Sequence, residues 1–145
     1  METASRRRAD ERAVAGLVRD YYESWFEGDA ERMKRSLHPK LAKRALLPES
    51  LAAGHRDDDD PDPLDEDTAQ TMVAATGKGI GKTRARTPED RALDIEVGDV
   101  YDTIASVTVR SVIYHEYLHL VRTREGWRIV NALWQRTLPS SEGRR

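Results

Sequence analysis

The stretch Tyr114–Trp134, YHEYLHLVRTREGWRIVNALW, decides how the rest of the chain is read. Its first residues spell His115-Glu116-x-x-His119, the zinc-peptidase signature, in which one helical turn brings two imidazoles to one metal ion. The flanks oppose a helix: valine, isoleucine, threonine and tyrosine dominate up to Thr123, and no capping residue precedes His115. On a strand the two histidine Cα atoms stand about 13 Å apart, beyond what zinc–nitrogen bonds of about 2.0–2.1 Å can bridge. A third ligand is also wanting, because Glu125 sits in a turn and Glu142 in a polar tail. The stretch therefore reads as a β-hairpin folded about Glu125-Gly126, and no metal or other cofactor is expected.

Upstream, one strand from Ile104 to Thr123 would reach about 65 Å, so the chain must turn near Arg110-Ser111. Ala92 to Val100 also alternates, which gives an antiparallel meander of about four strands. Before it the period changes. Ala13, Val14, Leu17, Val18, Tyr21, Tyr22, Trp25 and Phe26 recur at three- and four-residue steps, the stripe of a long amphipathic helix. Gly28 suits the left-handed cap, and Asp29 can cap a second short helix with Met33 and Leu37 on its buried edge. His38-Pro39 ends that helix. Helices first and a meander after them make an α+β layout.

Between these parts the signals thin. Leu41 to Leu47 suits a short helix or an edge strand. The run GHRDDDDPDP, with self-repelling carboxylates and two prolines, reads as a solvated acidic loop at about 55–64. Asp67-Thr68-Ala69-Gln70 resembles a capping box with Asp67 as the cap. Ala69, Met72, Val73 and Thr76 then line a third helix closed by Gly77. The following GKGIGKT misses the phosphate-loop spacing by one glycine and follows a helix rather than a strand, so it reads as a flexible connector.

The 145 residues suit a single domain over 1–145. A net charge of −2 with 34% charged residues gives no field for nucleic acid, and no apolar run approaches a membrane span. The absence of cysteine fits a reducing compartment. A cytoplasmic location is expected.

The segments YYESWFEGDAERMKRSLHP, the helix ending at Gly77 and YLHLVRTREGWRIVNALW together resemble the nuclear transport factor 2-like superfamily, in its lumazine-binding and polyketide cyclase-like branch. The resemblance implies a cone: a curved antiparallel sheet wrapped around a long N-terminal helix, with a pocket between them. It also implies a choice of functions, because cyclases, isomerases, dehydratases and non-catalytic binding modules share that fold.

Folding the hairpin about Glu125 sets Val121 opposite Ile129, His119 opposite Asn131 and Tyr117 opposite Leu133. One face then carries Tyr117, His119 and Asn131 as pocket groups, with His119 and Tyr117 as acid–base candidates. His119 and Asn131 also suit a plain hydrogen-bonded core pair. Tyr21 and Trp25 on the first helix, His38 at the rim and Met72 on the third helix complete the expected ligand contacts. The other face, with Leu118, Leu120, Val130 and Ala132 and with Trp134 nearby, is expected to join a homodimer. A small apolar or aromatic ligand is the expected partner. Cofactor-free acid–base catalysis on a hydrophobic ring, or a protein-interaction role for the sheet, are the alternatives.

Overall fold

The computed structural model describes residues 2–47 and 64–139. The acidic loop expected at about 55–64 lies, except for Leu64, outside them.

Helix α1 (Glu2–Glu27) carries the aromatic stripe. Gly28 closes it at φ 73°, a left-handed conformation that glycine adopts without strain. Asp29 caps α2 (Ala30–Ser36), its carboxylate accepting from the Arg32 backbone N–H at 3.1 Å. Met33 is fully buried and Leu37 nearly so, as their spacing implied. The chain leaves α2 directly into strand β1 (Leu37–Ala45), which makes the ambiguous Leu41–Leu47 segment strand as far as Ala45.

Strand β2 (Asp65–Asp67) pairs with β1, and α3 (Ala69–Gly77) follows. Its capping box stands one residue later than expected. Thr68 is the cap, accepting from the Thr71 backbone N–H at 3.1 Å, while the Thr71 hydroxyl accepts from the Thr68 N–H at 2.8 Å. Asp67 instead accepts from the Thr71 hydroxyl at 2.7 Å. The GKGIGKT segment is also corrected: Gly79, at φ 79°, starts a short helix α4 (Ile80–Arg84).

Strands β3 (Asp94–Tyr101), β4 (Ile104–Arg110), β5 (Tyr114–Thr123) and β6 (Gly126–Arg136) form the expected meander. The curved six-stranded sheet runs in the order β2-β1-β6-β5-β4-β3, with β1 parallel to β6. Strand β1 is therefore internal to the sheet rather than an edge. Tyr117 pairs with Leu133 and His119 with Asn131, as expected. A bulge at Val130 then shifts the register, so that Leu120 rather than Val121 meets Ile129.

The assignment of the faces is reversed. Leu118, Leu120 and Ala132 are buried beneath α1 with Val14, Val18, Tyr21, Tyr22 and Phe26, together with Val107, Val109, Trp127 and Ile129. Tyr117 and Leu133 stand exposed on the outer face. The aromatic stripe of α1 needs the most continuous apolar surface, and Leu118, Leu120 and Ile129 supply it. Full burial of each such side chain stabilises the fold by about 1.5–3 kcal/mol. Among the described residues no helix is long and apolar enough to cross a membrane.

One close approach fixes α4 on α1. A Cβ added at Gly81 would overlap the Trp25 backbone carbonyl and the indole ring. The backbone oxygen cannot swing aside, so Gly81→Ala must push α4 outward. Calorimetry is expected to show a loss of about 1–3 kcal/mol, the usual cost of overpacking.

Candidate functional site

A charged cluster lies where α1, β1 and β5 meet. Glu116, on β5, points inward between Tyr114 and Leu118 and is 2% exposed. Burying a carboxylate is costly unless it is paired and hydrogen-bonded, and this one is both. The Lys43 ammonium, from β1, lies 2.9 Å from Glu116 Oε2, and the Tyr21 hydroxyl donates to the same oxygen at 3.1 Å. The Tyr22 hydroxyl donates to Oε1 at 2.6 Å. Lys43 also donates to the Tyr21 oxygen at 2.5 Å. Its ammonium stands 5.2 Å from the Tyr21 ring centre and 5.6 Å from that of Trp134, a cation held between aromatic faces.

The fold places these groups by simple periodicity. Tyr21 and Tyr22 belong to the α1 stripe, and Glu116 shares strand parity with Leu118 and Leu120. Burial first, and the nearby Glu116 carboxylate second, push both tyrosine hydroxyls well above their ordinary value of 10.0. Both therefore remain proton donors at neutral pH.

Beside the cluster opens a cavity of about 190 Å³. Its aromatic wall is built from Tyr22, Trp25, Tyr114 and Trp134, with Tyr114 stacked edge-on against Trp134 at 5.6 Å between ring centres. The Trp25 indole N–H donates to the Tyr114 hydroxyl at 2.9 Å. Met72 and Ala75 of α3 and Ile80 of α4 form the apolar side, and Asp65, Asp67 and Arg84 also line the cavity.

Tyr21, Trp25 and Met72 line this cavity. Tyr117, His119 and Asn131 do not line it. They project from the outer face, where the Asn131 amide and His119 Nδ1 are 3.2 Å apart in exposed positions. His119 and Asn131 border a separate, shallower groove with Tyr101, Ile104, Ser106 and Val121. His38 is also absent from the cavity lining; its Nδ1 accepts from the Lys40 backbone N–H at 3.0 Å within β1. His115 and His119 lie on strand β5, and Glu116 points to the opposite face from both. Among the described residues no cluster of three or more metal-ligating side chains occurs.

Lys43, Glu116, Tyr22, Tyr114 and Trp134 are among the site residues that sequence reasoning missed. One signal was available: a lone glutamate in phase with Leu118 and Leu120 on an apolar face demands a buried cation. No local pattern says that the cation comes from β1.

Residues 9–135 match the family model described as "Putative lumazine-binding". No curated protein matches the chain. Among solved structures, a nuclear transport factor 2-like protein of unknown function from Silicibacter pomeroyi superposes with a TM-score of 0.62 at 17% identity, covering 94% of this chain and 99% of its own. A nuclear transport factor 2-like protein of unknown function from Shewanella baltica gives 0.61 at 9% identity, with 90% and 96% covered. A domain of unknown function with a cystatin-like fold from Nostoc punctiforme gives 0.57 at 17% identity, with 92% and 80% covered. At these identities the likeness is one of fold.

The buried pair makes a direct prediction. Removing one partner of a buried ion pair costs about 3–5 kcal/mol, whereas replacing both with apolar groups is often neutral or stabilising. Glu116→Leu is expected to lose stability on that scale in urea titrations, and Lys43→Met/Glu116→Leu to regain most of it. A single variant within about 1 kcal/mol of the parent would mean that water reaches the pair.

Proposed function

The chain belongs to the "Putative lumazine-binding" family, and from that premise we propose that it is a small-molecule-binding domain holding a flat, largely apolar ring between α1 and the sheet. The observation that carries this reading is a charged cluster maintained beside an aromatic-walled cavity. An apolar substitute for the ion pair would serve stability equally well, so the pair is better explained by what occupies the cavity. An apolar cavity of about 150 Å³ holds one benzene ring, so the cavity here suits one ring or two fused rings.

Binding is favoured over acid–base turnover. A general base must reach the substrate proton, and the Glu116 carboxylate is 2% exposed and already accepts from Tyr21, Tyr22 and Lys43. The acid–base candidates from the sequence, His119 and Tyr117, face away from this cavity.

A panel of fused two-ring aromatics, lumazine among them, tests the reading by calorimetry. Ala75→Phe fills the cavity from α3 and is expected to weaken binding of every hit at least about tenfold, a change of roughly 1.4 kcal/mol. His119→Ala is expected to leave binding unchanged. The reverse pattern would move the site to the outer face.

We also propose that two copies associate through the outer face. Ile104, Tyr117 and Leu133, on neighbouring strands, and Tyr101, on the next strand outward, are each more than half exposed. An apolar surface of this kind commonly closes on itself about a twofold axis. The surface differs from the one expected from sequence, because Leu118, Leu120 and Ala132 are core residues. Sedimentation at tens of micromolar is expected to give twice the chain mass, and Tyr117→Glu/Leu133→Glu to give the monomer. A monomeric parent protein would refute the association.

A further inference from the structure

We propose that the cavity selects an uncharged ring bearing a carbonyl-type oxygen, docked on Lys43 and Tyr114, over hydrocarbons, carboxylates and cations of the same shape. The inference rests on the binding reading above and adds the chemistry of the guest.

Proton counting supplies the argument. An ammonium has three N–H donors. Two of those on Lys43 go to Glu116 and to the Tyr21 oxygen. The hydroxyl protons of Tyr21 and Tyr22 are both given to Glu116. Tyr114 accepts from the Trp25 indole and keeps its own proton for another acceptor. Among the described residues, Lys43 and Tyr114, both lining the cavity, therefore each hold a spare donor. Of the carboxylates in the lining, Glu116 has three donors and is almost completely enclosed, whereas Asp65 and Asp67 are hydrated on the more exposed β2. A guest gains most by bringing an acceptor.

Charge narrows the class further. Lys43 and Glu116 cancel, so the buried floor of the cavity has no net charge to neutralise a guest ion, while the more exposed Asp65, Asp67 and Arg84 bring the lining as a whole to −1. A carboxylate would lose its hydration and face Glu116 as well as Asp65 and Asp67, with Arg84 as the further cation in the lining. A cation would be drawn to the hydrated Asp65 and Asp67 but would meet Lys43 inside, which already occupies the Tyr21 and Trp134 faces where a guest cation would sit. A neutral ring oxygen gains a charge-assisted hydrogen bond without bringing an unpaired charge into the interior. Lactones, lactams, cyclic ketones and pteridinediones belong to this class.

The test uses four two-ring probes of similar shape: coumarin, naphthalene, 2-naphthoate and N-methylquinolinium. Calorimetry or competition is expected to show coumarin binding about ten- to a hundredfold tighter than naphthalene, the range of one hydrogen bond to a charged donor. The two ions are expected to bind more weakly than naphthalene. In Lys43→Met/Glu116→Leu, naphthalene should still bind while coumarin loses its advantage. Tyr114→Phe leaves the ion pair in place and should remove part of the same advantage, so a misfolded double variant does not end the test. Naphthalene equal to coumarin, or either ion binding best, overturns the acceptor assignment and leaves a binding cavity standing. No binding by any probe or by lumazine defeats the binding reading itself, and the present inference with it.

Discussion

The structure is organised around the need to satisfy one buried carboxylate. Glu116 projects from β5 into the space beneath α1, where an unpaired negative charge is not tolerated. Three partners answer it. Lys43 comes from β1, and Tyr21 and Tyr22 are adjacent on α1. These partners lie 73, 95 and 94 residues from Glu116 in sequence. The helix, the parallel strand and the meander are thereby held at one point by directional bonds, which apolar packing alone does not provide.

Around that point the remaining contacts shape a space rather than fill one. Asp20 and Glu23 of α1 both bind the Arg32 guanidinium, at 2.6 and 2.7 Å, and secure α2 against the long helix. Gly81 lets α4 approach Trp25 more closely than any side chain would allow. With α3 and α4 held there, the aromatic rings of α1, β5 and β6 border a cavity instead of meeting other side chains. Its lining residues are anchored on helices and strands, and the Trp25–Tyr114 and Tyr22–Glu116 bonds fix the orientation of three rings. Such preorganisation lowers the ordering cost of taking up a guest.

The two faces of the sheet have separate chemistries. The inner face is largely apolar, with the Lys43–Glu116 cluster at one end and the Arg122–Asp10 pair at the other. The outer face interleaves Ile104, Tyr117 and Leu133 with His119, Asn131, Ser106 and Thr108. Both faces alternate along β4 and β5 with similar regularity, so the hairpin pairing alone leaves open which one meets the helix.

The sequence by itself determined three of the helices, the four-strand meander and most of its hairpin pairing. The α1 stripe has one period, Gly28 and Asp29 mark one boundary, and a hairpin about Glu125 fixes His119 opposite Asn131 and Tyr117 opposite Leu133. The H-E-x-x-H letters were also readable as strand, because propensity in the flanks outweighs a five-residue motif. Tyr21, Trp25 and Met72 were legible as members of apolar helix faces through their spacing. Tertiary structure alone decided the face of the sheet, the course of GKGIGKT as a helix against Trp25, and the partnership of Lys43 with Glu116. In each case the deciding contact joins segments far apart in the chain. Periodicity tells a residue which neighbours share its side, but only packing tells it which side is buried.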